Sequence, residues 1–290
     1  MGEYFVNDCK MKVQILACTP NAELLVAKSA KLCYSNSTVD NLLDKPMSDK
    51  EVKDFVSKLS SIGHYSPIEH CSFTFAIEGV SRALTHQLVR HRLASYSQQS
   101  QRYVKEGQFE YVVPKEIREN KSASALYRQS MEEAQTNYDI LVQFLMEGLV
   151  EKNFFDKLIV TSPYTDILEP KTIRMVAEKN QSLLELYGIK KSEINALEKI
   201  AIENARYVLP NACETKIVVT MNARSLVNFF EHRCCNRAQD EIRELADEML
   251  RICRVYAPAI FNNVAPSCTY GKCKEGSMSC GKPRTDLRCK

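Results

Sequence analysis

Residues Cys71 to Glu78 (CSFTFAIE) alternate with a period of two: Cys71, Phe73, Phe75 and Ile77 point one way, and Ser72, Thr74, Ala76 and Glu78 the other. That is the pattern of a half-buried strand, whose apolar face needs a covering layer. Ser81 is placed to cap a helix directly after it. In that helix Leu84, Leu88 and His91 share one face and His86 and Arg90 another, so the predicted geometry delivers Arg90 and Arg92 at its end.

The helix runs into a stretch too polar to be core, Arg90 to Tyr103 (RHRLASYSQQSQRY), in which Leu93 and Ala94 are the apolar residues. It reads as a serine and glutamine loop facing an anion. Arginine offers a planar fork of donors matched to phosphate or carboxylate, and serine and glutamine fill the remaining lone pairs without adding charge. The alternative is a solvated cationic helix end held by salt bridges. It is weakened by the absence of any acidic residue between Val80 and Lys105. A formal net charge of +3 is too mild for binding polynucleotides through bulk charge, which favours a small anion. A nucleic-acid-binding module using the Arg90 to Arg102 helix end remains the rival from another class.

The rest of the chain alternates short strands with longer helices. Lys12 to Ala17 is a strand, and AELLVAKSAKLCY after Thr19-Pro20-Asn21 has helical spacing. Asp49 to Ile62 is a helix with Val52, Phe55, Val56, Leu59 and Ile62 on one face, stopped at Gly63. Phe109 to Val113 reads as a short strand ended by Pro114. A long helix is expected from Arg118 to about Lys152, with a rhythm of Ala134, Tyr138, Leu141, Leu145 and Leu149. A break at SPYTDILEPK precedes a helical stretch ending at Gly188, and Ser192 is the expected cap of another running to Val208. Glu214 to Met221 is a strand. Asn236 is the expected cap of the last helix, whose stripe is Ala238, Ile242, Leu245, Met249, Ile252 and Tyr256. The fold class is α+β: a mainly antiparallel sheet packed with long helices, with a helical insertion and no Rossmann domain.

Several chemistries lack their signatures. There is no GxGxxG, no GxxxxGK and no HExxH, so a nucleotide would be held by side chains and helix ends. No stretch reaches the ~18 apolar residues of a membrane span, and MGEYFVNDCKMK lacks a secretory apolar region, so a cytoplasmic protein is expected. Twelve cysteines then imply reduced thiols. Cys213, Cys234 and Cys235 have no evident base and read as inert. A methyltransferase working through one of them is a third reading. His64, Glu69 and His70 match no metal spacing. Cys268, Cys273, Cys280 and Cys289 are spaced more loosely than paired CxxC knuckles, so the tail reads as reduced and flexible, with a zinc site as the alternative. No bound metal is expected.

With these residues in view, the chain resembles the flavin-dependent thymidylate synthases. Arg90, His91, Arg92, Ser95, Ser100 and Arg102 match the family signature of RHR followed by two serines and an arginine. The likeness extends through GHYSPIEH and Gln87 upstream, and through ENARYVLP, TMNARSLVNFFEHR and AQDEIR downstream, covering most of residues 10 to 260. It implies a catalytic domain at 1–265, with the insertion at about 150–200, and a Cys-rich tail at 266–290. It implies FAD bound without a Rossmann fold, NADPH and methylenetetrahydrofolate as cosubstrates, and conversion of dUMP to dTMP in a homotetramer with shared sites. By matching position, Ser66, Arg90, His91, Arg92, Gln98, Asn222, Ala223, Arg224 and Asn228 would contact FAD, with His64 near flavin and folate. Gln87, Leu88, Val89, Arg90, Gln98, Gln99, Ser100, Gln101, Arg102, Arg206 and Arg233 would hold dUMP, its phosphate on Ser100 to Arg102. Arg233 would polarise the uracil ring. The sequence departs from the family pattern at Ser97-Gln98, where many relatives have Asn-Glu, at Arg237 in place of a frequent histidine, and at Asp240 in place of an aromatic residue.

Overall fold

The computed structural model describes residues 8–101, 109–160 and 170–289. They form two compact units: one from residues 9–98 and 214–289, the other from residue 8 and residues 99–213. The expected break at SPYTDILEPK and the site residue Arg102 fall largely or wholly outside the described residues.

The first unit is built on a sheet. Strand β1 (Lys12–Cys18) leads to helices α1 (Ala22–Leu32), α2 (Val39–Asp44) and α3 (Asp49–Ser61). Then come strand β2 (Ser72–Ser81), helix α4 (Arg82–Leu88) and strand β3 (Ala94–Gln98). The unit resumes much later in the chain. The four strands run β1-β2-β4-β3, every pair antiparallel, with β4 being Glu214–Asn222. Cys71, Phe73, Phe75 and Ile77 are all buried, as the alternation requires, and meet Ile217, Val219 and Met221 of β4 in one core. Burying each such phenylalanine stabilises by roughly 1.5–3 kcal/mol. Val52, Val56 and Leu59 of α3 join this core, but Ile62 is 66% exposed because the helix has already ended. Gly63, at φ +73°, turns the chain away.

The stretch expected to be a serine and glutamine loop is in fact the edge strand β3. Ser97 and Ser95 face outward while Ala94, Tyr96 and Gln98 turn inward, paired from Ala94↔Met221 to Gln98↔Ile217. Its polar composition concealed a period of two. Helix α4 is also shorter than expected, so Arg90 and His91 lie in the turns after it, their amides donating to the Gln87 and Leu88 carbonyls.

The second unit is helical. Phe109 to Val113 is not a strand: Tyr111 forms isolated bridges to Asp8 and Cys213. Helix α5 (Lys115–Glu119) is followed by α6 (Lys121–Val160), 40 residues and about 60 Å long. The two are separated at Asn120, whose side chain accepts from the Ala123 amide. The buried stripe of α6 is Tyr138, Val142, Met146, Val150, Phe154 and Leu158, with Leu141, Leu145 and Leu149 beside it and half-buried. Helices α7 (Pro170–Ala177), α8 (Gln181–Leu186) and α9 (Lys191–Ala205) complete this core. The α9 start is at Lys190, whose amide donates to Glu193, and Ser192 lies inside the helix, exposed.

After β4 the first unit ends with α10 (Ala223–Arg233), α11 (Asp240–Tyr256) and α12 (Pro258–Phe261). Gln239 caps α11 by accepting from the Ile242 amide, and the predicted cap Asn236 instead donates to the Lys282 carbonyl. Tyr256 is 50% exposed, off the buried stripe of Ile242, Leu245, Met249 and Ile252. Residues 266–289 do not trail away. Arg284 is buried against Asp247 of α11, and Arg254 of α11 donates to the Leu287 carbonyl.

The register of β2 slips between Ile77 and Val80, where Gly79 adopts φ +69° and donates its amide to Glu214. A Cβ there would sit 2.0 Å from the Lys10 carbonyl oxygen. We expect Gly79→Ala to destabilise the protein by about 2–4 kcal/mol, through the clash and the left-handed backbone together, visible as a lower denaturant midpoint.

Candidate active site

Each of the two central strands runs directly into a helix, and a polar cap fixes each junction. Ser81 ends β2 and accepts from the Leu84 amide at 3.0 Å, while its own hydroxyl and amide donate to Glu241 of α11 at 2.6 and 2.7 Å. Burial raises the Glu241 pKa, and the two Ser81 hydrogen bonds oppose that shift. Asn222 ends β4 and accepts from the Ser225 amide at 2.8 Å, starting α10. The start of α4 is therefore tied to α11, and the start of α10 to the sheet.

The helices' far ends meet. The Arg233 Nε–H, at the end of α10, donates to His91 Nε2 at 3.1 Å. The Phe229 ring stands edge-on to His91, with centroids 4.9 Å apart. Tyr96 of β3 pins the turn that carries His91: its hydroxyl lies 2.9 Å from the Leu88 carbonyl oxygen and 2.8 Å from that of His91. Burial depresses the His91 pKa to about 4, with the charges of Arg233 and His232 adding to the effect. The ring is thus neutral at pH 7, protonated on Nδ1 and accepting at Nε2. Arg233 is oriented without being neutralised. Among the described residues its Nη groups have no partner, which leaves a charged, bidentate donor facing solvent space.

That space is a cleft of about 690 Å³ lined by Arg90, His91, Asn228, Glu231, His232, Arg233 and Arg237, and on its other side by tail residues including Cys268, Cys273, Lys274 and Glu275. Arg237 pairs with Glu275 at 3.1 Å. Arg90 and Arg92 are exposed and, among the described residues, make no ion pair.

A second group of predicted residues gathers at the opposite end of α10, about 16 Å away along the helix. The Arg224 guanidinium lies 4.5 Å above the Tyr65 ring, next to exposed Ser66. His64 Nδ1 is 3.1 Å from the Tyr34 hydroxyl. Ala223 is fully buried with its amide on the Cys71 carbonyl, and Leu88 is fully buried too, so neither offers a side chain to a ligand. Gln98 gives both Nε2 protons to Thr85 and Thr215, at 3.0 and 3.2 Å, and its Oε1 has no partner among the described residues. Gln87 is half-buried on α4 and Val89 exposed just after it.

In the helical unit Gln99, Ser100 and Gln101 are half-buried, and Gln101 Nε2 is a buried donor without a partner among the described residues. Arg206 follows α9, with its Nε donating to the Glu203 carbonyl at 3.1 Å and its guanidinium over the Tyr207 ring.

Residues 14–259 match the family model described as "Thymidylate synthase complementing protein". A flavin-dependent thymidylate synthase from Clostridium tetani is 48% identical over 94% of this chain and 94% of its own. The chain belongs to the flavin-dependent thymidylate synthase family. A second family member, from Geobacter sulfurreducens, is 42% identical, again over 94% of both chains. Among solved structures, a UMP/dUMP methylase, PolB, from Streptomyces cacaoi, bound with 5-Br dUMP, shares the fold at a TM-score of 0.59 and 19% identity, covering 87% of this chain and 93% of its own.

Family membership displaces the nucleic-acid-binding reading, and the thiols offer no support for a cysteine nucleophile. Burial, with Asp247 beside it, pushes the Cys234 pKa up, and Cys213 is buried. No three metal-ligating side chains converge among the described residues. What sequence reasoning missed in this family member is the tail's share of the cleft, together with Glu231 and His232. The local pattern of the tail carries no signal for it, because the contacts span 41 to 50 residues.

Because His91 has a folded pKa near 4 against 6.5 for the free side chain, the unfolded chain takes up its proton first as the pH falls. Stability linked to His91 is complete above pH 6.5 and is lost between pH 6.5 and 4. Thermal melts across this range should show the native midpoint falling more steeply than that of His91→Gln; parallel curves would contradict a neutral His91.

Proposed function

We propose that this chain converts dUMP to dTMP, with methylenetetrahydrofolate as one-carbon donor and FAD reduced by NADPH, releasing tetrahydrofolate. The observation that carries the reading is Arg233, held by its Nε on a neutral histidine with its Nη fork open to a cationic cleft. A fixed cation beside the carbonyl and imide edge of a pyrimidine stabilises the negative charge that gathers there as the ring is activated. His91 orients Arg233 without adding a charge of its own beside it.

The residues fit FAD. Its diphosphate is dianionic and its ring system flat. Arg90, Arg92 and Arg224 are cations without carboxylate partners among the described residues, and Arg224 already stacks on an aromatic ring. Ser66, Arg90, His91, Arg92, Asn222, Arg224 and Asn228 would hold it, with His64 near flavin and folate and Ala223 contributing shape alone. Bound FAD supplies the hydride, so no activated cysteine is needed. The nucleotide phosphate would sit on Ser100, Gln101 and Arg102, where the Gln101 amide, without a partner among the described residues, would supply a donor. Gln87, Val89, Gln99 and Arg206 would complete the dUMP site, and Gln98 would accept through Oε1. In line with the family likeness, the protein would work as a cytoplasmic homotetramer with sites shared between subunits. No helix among the described residues is long and apolar enough to cross a membrane.

Purified protein should take up FAD, giving the flavin absorbance bands, and should form dTMP from dUMP while oxidising NADPH in the presence of methylenetetrahydrofolate. Arg233→Ala should keep the flavin bands and lose dTMP formation by about 10²–10³-fold. Folded protein that takes up no flavin would sink the reading.

A further inference from the structure

We propose that Arg284, in the tail beyond residues 14–259 that the family model matches, is a positioning residue for Arg233. This rests on the role given to Arg233 under the proposed function. The connection between α10 and α11 begins at Cys234, the residue after Arg233, and ends at Gln239. The tail grips it at three places. Arg284 Nη1 donates to the Cys234 carbonyl, Asn236 Nδ2 donates to the Lys282 carbonyl at 2.8 Å, and Arg237 Nη1 donates to the Met278 carbonyl at 2.8 Å.

Arg284 is the strongest of these grips because every side of its guanidinium is engaged. Its Nη2 lies 2.9 Å from Asp247 of α11 and 2.8 Å from Asp286, and its Nε is 3.0 Å from Asp286. The residue is only 7% exposed. It therefore joins the last turn of α10 to α11 with a buried, charge-assisted clasp. The placement also suits the helix: a cation on a terminal carbonyl satisfies an acceptor that has no partner within the helix and complements the negative end of the dipole.

The consequence concerns Arg233. Its side chain is aimed by His91 at one end, and its main chain is held at the other by the carbonyl next to it. Without Arg284, Asp247 loses its buried partner, the Cys234 carbonyl loses its donor, and the final turn of α10 is free to shift. A displacement of about 1 Å is enough to weaken a bidentate contact with substrate. The tail thus acts on the reaction through geometry, without touching the substrate at Arg284.

The test uses FAD-loaded, full-length protein, with dUMP affinity read from the change that dUMP makes in the flavin spectrum. Arg284→Ala should take up flavin normally and bind dUMP about tenfold more weakly, as expected for loss of one charged hydrogen-bonding contact. In an Arg233→Ala background the same change should alter dUMP affinity by less than about twofold, since a residue acting through Arg233 has nothing left to position. Native dUMP affinity in Arg284→Ala, or a loss that multiplies that of Arg233→Ala, would overturn the proposal. Should Arg284→Ala not fold, Asn236→Ala leaves the buried clasp intact and carries the same cycle, with a loss of about threefold expected. Native affinity there would count against the strap in the same way. Arg233→Ala binding dUMP as tightly as the native protein would instead remove the parent reading.

Discussion

The pairing of β2 with β4 is the interaction on which the rest depends. It sets Ser81 opposite Glu214 and Asn222 opposite Ser72, so the two strands release their helices from opposite ends of one ladder. The core on one face and the caps at each end are consequences of that register. A slip of one residue would turn Phe73 and Phe75 to the open face, and it would also move the starts of α4 and α10 relative to each other. Arg233 and His91 lie far apart in sequence and meet because this register is kept.

The site uses burial to ration charge. It collects several cations in one cleft, which by itself would be repulsive, and then places among them a histidine desolvated enough to stay neutral at pH 7. The result is a fixed guanidinium whose orientation costs it no charge. Two carboxylates line the cleft, Glu231 on α10 and Glu275 on the tail side, where it balances Arg237. Arg90 and Arg92, on the α4 side, have no carboxylate partner among the described residues.

Much of this was legible in the sequence where local pattern and tertiary role agree. The period of two in CSFTFAIE, the Ser81 cap and the Gly63 stop each reflect a physical demand made by near neighbours. Strand β3 was not legible, since an edge strand with an open face tolerates serines where a central strand cannot. Ser192 and Asn236 have the chemistry of caps, but the backbone started each helix elsewhere. Ile62 and Tyr256 continued a helical rhythm past the residue where burial ended. Likeness to a family nominates the signature arginines and asparagines as site residues. Their division between two ends of α10, and the full burial of Leu88 and Ala223 among them, required coordinates.

The position of the helical unit in the chain has a consequence for how the site comes into being. Everything from residue 99 to 213 lies between β3 and β4, so the central ladder cannot close until that whole segment has been made. Closing a loop costs only about 0.6 kcal/mol for each doubling of its length, so a long inserted segment burdens the equilibrium little. Its burden is on time. The nascent chain carries the β1–β2 pair and β3 with no β4 between them until residues 214–222 have been made, so the β2 edge and the Phe73 and Phe75 face wait on a late strand, and such non-local pairing is the kind of step that leaves folding open to competition from aggregation.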